Sequence, residues 1–379
     1  MFMATQCQEQ ERETMNNFSN LSKNIDKIMV ACVITLAAVS LLTIGSTHLG
    51  EGISREVIVQ AAAYVLGAIG VIIILTQNYN IFQGLEKQLY IASLALLLSV
   101  YTPLGVELFS ARSWIDLGFT TIQPSEFVKI LYILILAGYL SEHNDTLHDF
   151  KGLIKAGIVA APIIVIVLKE DLGSALVFAA IWVTMIFFAG INLKVFAQFM
   201  GLVVCAIPVA FIFLKPYQKE RIEAFLHPEN LNLSGNYQVW QSKVAIGNGG
   251  LTGTGLFNGT QKELDFIPVQ SSDFIFSVIG EELGFIGGLL IIAVFGLLLY
   301  RMAAAVRDAL DFYGALVVSG IIGMFAFQIF ENVGMTMGLM PVTGITLPFL
   351  SYGGSSILSN MAAVGLVLDV GMRSKSINF

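Results

Sequence analysis

A chain of 379 residues with a formal net charge of −7 has the length of two or three soluble domains, and its composition excludes them. Residues of the AVILMFWYC set make up 56 %, charged residues only 12 %, and mean hydropathy is +0.77; a soluble surface needs about a quarter charged residues. The composition predicts an all-α polytopic membrane protein with a single membrane domain over 28–375. Cys7, Cys32 and Cys205 have neither disulfide nor metal spacing, and His48, His143, His148 and His227 form no zinc pattern.

Residues 1–27 form a polar, partly acidic leader with no signal-peptide pattern, expected to be cytoplasmic and disordered. About ten apolar runs follow, each near the length of a transmembrane helix: 28–47, 56–77, 88–105, 122–141, 153–168, 171–191, 195–214, 272–300, 311–338 and 354–372. An even count puts both termini on one side. That side carries Arg12, Lys23, Lys27, Lys87, Lys151, Lys155, Lys194, Arg301, Arg307, Arg373 and Lys375, whereas the short loops opposite carry only Arg55, Arg112 and Lys169. The termini are therefore expected in the cytoplasm, with a large extracytoplasmic loop, 215–271, between the seventh and eighth helices. Two other segments on the same side stand out. GVELFSARSWIDLG after residue 104 suits an interfacial or re-entrant helix. GLMPVTGITLPFLSYGG after residue 337 is irregular backbone, tolerated at membrane depth only where it is buried in protein or lines a wet cavity.

Several constellations carry candidate chemistry. In Gln123–Lys129 (QPSEFVK), Glu126 and Lys129 share a helix face and can pair, either to fix packing or as a charged cavity wall. Arg112 suits headgroups or a phosphate, and Trp114 suits an interface belt. Asp171 begins a helix, where a carboxylate caps free N–H groups. In the large loop, Arg221 belongs to an amphipathic piece. Gln238, Gln241, Ser242 and Lys243 cluster beside Tyr237 and Trp240, a mixture suited to sugar or phosphate contact and equally to an ordered cap. The glycines of GNGGLTGTG permit close backbone approach rather than implying a nucleotide fold.

The stretch Gln270–Gly284 (QSSDFIFSVIGEELG) places Asp273, Glu281 and Glu282 at a membrane boundary, where ionisable groups are costly and mark function. Asp273 is either a helix N-cap or a reactive carboxylate at the mouth of the eighth span. Glu281 and Glu282 are expected about 12 Å deeper along one continuous helix and to be structural or cavity-lining.

Together RSWIDLG at Arg112–Gly118, QPSEFVK, DLGSAL at Asp171–Leu176, YQVWQSKVAIGNGGLTGTG at Tyr237–Gly255, SDFIFSVIGEELG at Ser272–Gly284 and PVTGITLPFLSYGGSS at Pro341–Ser356 resemble the SEDS family of peptidoglycan glycosyltransferases over roughly 28–375. Asn258–Phe276 and Asn332–Ile345 are more similar to the RodA branch of cell elongation than to the FtsW branch of division, with a sporulation paralogue as the alternative. The sequence departs from the family at Ser271-Ser272 (usually His-Thr), Lys169-Glu170 (often Gln-Pro) and Ser113 (often Arg).

The resemblance implies polymerisation of lipid II at the outer face of the bacterial cytoplasmic membrane, in cell wall biogenesis and cell shape. Inversion at the donor sugar needs one general base for the acceptor 4-hydroxyl and cations for the undecaprenyl diphosphate leaving group. On the matching position Asp273 is the base. Arg112, Arg221, Lys129 and Lys243 are candidates for the diphosphate, Glu126–Lys129 for the cavity wall and Trp114 for its rim. No cofactor motif is present; a divalent cation (Mg or Mn) held by Asp273 and diphosphate is compatible with the chemistry. The family also implies a class B penicillin-binding protein transpeptidase as partner. A lipid II flippase or transporter is the competing reading and predicts an internal repeat and a midplane site. A pure scaffold gives no reason for carboxylates in spans.

Overall fold

The computed structural model describes residues 24–47, 54–108, 111–116, 118, 120–146, 149–233, 235–259 and 270–374. The expected leader lies outside them up to residue 23. Helices occupy every expected span: α1 Lys27–Ser46, α2 Arg55–Thr76, α3 Glu86–Leu98, α4 Pro124–Glu142, α5 Phe150–Glu170, α6 Leu172–Phe188, α7 Leu193–Phe213, then α10 Ile275–Asp308, α11 Phe312–Thr336 and α12 Gly354–Ser374. Seven of these are long and apolar enough to cross a membrane, and α6 and the described part of α7 are shorter apolar helices; α3 has 13 residues and ends at Leu98, short of the expected 105. Two more helices, α8 Pro216–Leu226 and α9 Asn236–Gly249, lie in the large polar segment. The starts follow local chemistry. Asp26, Ser54, Asp171, Asn192 and Asp311 each accept backbone N–H groups of the helix they precede, and Pro124 and Pro216 sit in first turns.

Helices α4, α11 and α12 form the centre and are buried along most of their length, and the polar groups they carry inside, such as Glu126, Lys129, Gln328, Glu331 and Asn360, face protein and not lipid. Helices α1, α2 and α5 turn large apolar side chains outward, among them Ile34, Ile58, Val65 and Val165. Helix α1 gives the scale. Asp26 pairs with Arg301 of α10 at one end, and Ser46 donates to Glu282 Oε1 at the other. That is roughly 30 Å of helix, one hydrocarbon thickness. Asn24 and Asp26 line a cleft with Leu368 and Gly371 of α12, so the described ends of the chain meet at one face.

Two expectations change. The described residues of 105–122 do not form an interfacial helix but a three-stranded antiparallel sheet: β1 Gly105–Leu108, β2 Ala111–Asp116 and β3 Thr121–Ile122. Val106 pairs with Trp114 and Ile115 with Ile122, and these β-branched and aromatic residues favour strands over helix.

Helix α10 is also not continuous. Gly284 has φ 66 and ψ −167, which breaks it into two legs. The N–H groups of Phe285 and Ile286 bond to the carbonyls of Gly250 and Leu251, and those of Thr254 and Gly255 to Glu281 and Glu282. Only glycine permits this seam: a Cβ on Gly253 would lie 2.0 Å from the Glu282 carbonyl oxygen.

The break also leaves the two ends of this stretch with different partners. Ser351 Oγ donates to the Ser272 carbonyl, and Gln60 bridges the Ser351 carbonyl and Ser40 Oγ at 3.0 and 3.2 Å. Ser40 is six residues, about 9 Å, along α1 from Ser46. The turn before Asp273 is therefore tied to the middle of α1 through Ser351 and Gln60, and Glu282 to the end of α1 through Ser46. The 338–353 segment is irregular and packed in protein, with Thr343, Ile345, Leu347, Phe349, Leu350 and Ser351 buried.

Candidate active site

Helix α8 is amphipathic because its polar groups have a task at the α5–α6 turn. Lys215 Nζ lies 2.7 Å from Glu170 Oε2, the Tyr217 hydroxyl donates to the Glu170 carbonyl, and Gln218 Nε2 donates to the Leu168 carbonyl at 3.0 Å. Arg221, three and four residues further on, shares that face and donates from Nη1 to the Thr343 carbonyl at 3.0 Å. Helix α9 anchors beside it: Ser242 Oγ donates to the Thr336 carbonyl at 2.9 Å, and Ala245, Phe274, Val239 and Val342 form a small apolar cluster. The polar helices thus close over the irregular 338–353 segment and the start of α10.

Asp273 lies at this junction and is partly buried. It does not cap α10: the cap residue is Phe274, with no side-chain cap bond. Ser272 Oγ donates to Asp273 Oδ1 at 2.9 Å, a bond supplied by one of the two serines that depart from the family pattern. Oδ2 faces Gly344, where a Cβ would lie 3.4 Å away. Burial pushes the carboxyl above its ordinary value. The Ser272 bond and the positive charge of Arg221 pull it back, and the charge of Asp171 pushes it up; the net shift is upward.

The other candidates distribute around this centre. Asp171 caps α6, with Oδ1 accepting from Ser174 N at 3.1 Å and Oδ2 from Ser174 Oγ at 2.6 Å; Gln123 Nε2 also donates to it at 3.2 Å. Glu126 and Lys129 pair at 2.7 Å with both side chains buried, so the lysine ammonium is committed to its partner. The Glu126 carbonyl accepts from Ser359 of α12. Lys243 is exposed, its Nζ beside Gly338. Gln241 Nε2 donates to the Tyr237 hydroxyl at 2.8 Å, and Gln238 is half-buried on the same helix.

In the sheet, Arg112 and Trp114 share a face by strand alternation, opposite Ser113 and Ile115. Ser113, Tyr101, Ser125, Glu170 and Asp171 line one cleft. The Arg112 guanidinium donates to the Thr102 carbonyl at 3.1 Å, and its backbone N–H to Glu170 at 3.4 Å. Glu282 receives Ser46 Oγ and the Phe257 N–H, and Glu281 and Glu282 are buried along the glycine seam.

Three residues beyond the expected candidates take part in the site. Glu331 Oε1 accepts from Thr343 Oγ1 at 2.8 Å. Asn332 Nδ2 bridges the carbonyls of Asp273 and Ile345 at 2.9 and 2.8 Å. Glu331 was detectable, as a lone carboxylate inside an apolar span. Thr343 had no sequence signal, because its part depends on what folds against it.

The fold and this junction define a polytopic membrane protein with a polar two-helix cap over a partly buried carboxylate. The FtsW, RodA and SpoVE family of cell cycle proteins matches residues 23–376, and the chain belongs to that family, the SEDS proteins. Stage V sporulation protein E of Bacillus subtilis is 40 % identical over 313 residues, covering 82 % of this chain and 85 % of that one. Peptidoglycan glycosyltransferase RodA of Treponema pallidum is 32 % identical, covering 92 % and 98 %. MrdB of Escherichia coli K12, also named a peptidoglycan glycosyltransferase, is 31 % identical, covering 94 % and 95 %. Among solved structures, a chain of a peptidoglycan synthase complex that coordinates polymerization and crosslinking superposes with a TM-score of 0.78 at 31 % identity, covering 92 % of this chain and 98 % of that one. The rod shape determining protein RodA of Thermus thermophilus superposes with a TM-score of 0.66 at 28 % identity, covering 92 % and 96 %.

Proposed function

We propose that this chain polymerises lipid II into glycan strands at the outer face of the bacterial cytoplasmic membrane during cell elongation, with Asp273 as general base. In enzymatic class it is a peptidoglycan glycosyltransferase, as its RodA and MrdB relatives are named. The observation that carries the reading is Asp273 itself. It is a partly buried carboxylate that precedes a helix without capping it and has an arginine charge acting on it.

The face that holds Asp26, Arg301 and Arg373 carries the excess of basic residues and is cytoplasmic; the Ser46–Glu282 end and the α8–α9 cap are extracytoplasmic. The acceptor 4-hydroxyl gives its proton to Asp273 as its oxygen attacks the anomeric carbon of the donor. The bond to diphosphate breaks on the opposite side, the new β-1,4 bond is inverted, and undecaprenyl diphosphate leaves. Desolvation makes Asp273 a stronger base than an exposed aspartate. Arg221 stabilises charge on the diphosphate, and Lys243 at the edge of the cap is the next cation available. Glu126–Lys129 serves as a neutralised pair in the bundle wall. Asp273 Oδ2 and the diphosphate are the groups that would hold a divalent cation, which would neutralise charge on the leaving group. A class B penicillin-binding protein is the proposed partner, in line with the synthase-complex neighbour.

The deciding experiment supplies labelled lipid II to the purified protein with its cognate transpeptidase and compares wild type with Asp273→Asn of equal folding. Polymer from the wild type and none from the variant is the expected result. Undiminished polymer from the variant removes Asp273 as base. Translocation of lipid II without polymer replaces the reading with a flippase.

A further inference from the structure

Adjacent residues of α11 reach both halves of the site. Glu331 holds Thr343, whose carbonyl holds Arg221. Asn332 holds the Asp273 carbonyl and the peptide at Ile345. Glu331 is 1 % exposed and Asn332 fully buried. The Thr343 hydroxyl is the one hydrogen-bond partner of the Glu331 carboxylate among the described residues, and Oε2 has none. A carboxylate placed in a span with a single neutral partner is a poor way to gain stability, because desolvation costs more than one such bond returns. Its effect is geometric.

We propose that Glu331 is a positioning residue for glycosyl transfer: through Thr343 it sets where the Arg221 guanidinium stands relative to the Asp273 carboxylate. This rests on Asp273 being the base. The chain of contacts is short and rigid: a buried helix, one side-chain bond to a threonine hydroxyl, and that threonine's own carbonyl. Asn332 completes it by tying the Asp273 main chain to the same strip of backbone. If Glu331 lets go, Thr343 is free to turn and Arg221 loses its acceptor, while Asp273 keeps its Asn332 hold. The charged groups acting on Asp273 are Arg221 from α8 and Asp171 from the start of α6. Withdrawing the arginine leaves the aspartate and removes the cation placed for the leaving diphosphate.

The test uses Glu331→Leu, Glu331→Gln and Thr343→Val in the full-length protein with its transpeptidase, assayed for lipid II polymerisation from pH 5 to 9 and checked for folding by thermal unfolding in detergent. Glu331→Leu is expected to lower kcat about tenfold across the pH range with KM for lipid II little changed. Glu331→Gln keeps an acceptor oxygen and is expected to restore kcat. Thr343→Val removes only the donor hydroxyl and should reproduce the Leu phenotype. The double variant should be no worse than either single one, because both cut the same contact. A folded Glu331→Leu with wild-type kcat overturns the inference, as does a Gln variant as impaired as Leu. If Glu331→Leu does not fold, Thr343→Val decides by the same criteria. Asp273→Asn, run alongside, separates the failures: polymer from that variant removes the base itself, whereas its inactivity beside an unaltered Glu331→Leu removes only the positioning role.

Discussion

Asp26 and Asp273 occupy the same sequence context, an aspartate followed by a long apolar run, and the fold puts them to opposite uses. Asp26 accepts from the N–H groups of Ile28 and Met29 and pairs with Arg301. Burial pushes its carboxyl up, but the Arg301 bond, the Met29 N–H and the arginine charge outweigh it and hold the group below its ordinary value. Asp171 and Asp311 are also caps. Asp273 caps nothing, receives one hydroxyl, and is pushed up by burial. The difference teaches that an N-cap signature identifies a place where a helix starts and not what the carboxylate does there. A carboxylate whose charge is spent on backbone donors and an arginine is a weak base, and one left with a single neutral donor in a desolvated turn is a stronger one.

Substitution with asparagine breaks the comparison most sharply. Asp273→Asn should reduce polymerisation by about 10²–10⁴-fold, the usual contribution of a general base, whereas Asp26→Asn, still a competent cap, should leave lipid II turnover near wild type. Equal losses from the two would erase the distinction. Removing the charge at Arg221 comes next. Arg221→Met should lower turnover by about 10²-fold if it meets the leaving diphosphate, and the remaining activity should rise to its plateau at higher pH than in the wild type.

The pH profile of the wild type is a milder probe of the same contrast. Because the Asp273 carboxyl is raised, activity should fall as pH drops through a limb above the ordinary aspartate value of about 3.9. A limb at or below that value would contradict the desolvated turn. The smallest effect is expected at the other aspartate: Asp26→Ala should cost about 1 kcal/mol of helix stability, read as a lower thermal midpoint in detergent with specific activity retained. Unchanged stability would mean that the Asp26 cap and its exposed-edge ion pair contribute nothing net.

Much of the architecture was legible in the amino-acid order. A helix lies in every expected span, although α3 stops at Leu98, because a long apolar run in lipid has no other way to satisfy its backbone. Glu126–Lys129 pairs as its spacing requires, and Asp171 caps as its position requires. The glycines of GNGGLTGTG do permit a close approach, and the seam they make with α10 is visible in the structure. What misled was the assumption of a continuous eighth helix. The Gly284 break depends on the carbonyls of Gly250 and Leu251 being present to receive Phe285 and Ile286, a partner more than thirty residues away in sequence.

Sequence by itself determined the class of protein, the places of the apolar helices and the carboxylate worth testing, since hydropathy and local motifs are properties of neighbouring residues. Tertiary structure alone decided the rest. It folded the described residues of 105–122 as a sheet and tied the Asp273 turn to α1 through Ser351 and Gln60. It also put Arg221 within electrostatic range of Asp273 through the Thr343 carbonyl. It showed as well that Asp273 is not a cap. The physical reason is common to all four. Each rests on hydrogen bonds or charge interactions between segments that only the packed bundle brings together, and an aspartate, an arginine or a glycine carries no local mark of the partner it will find.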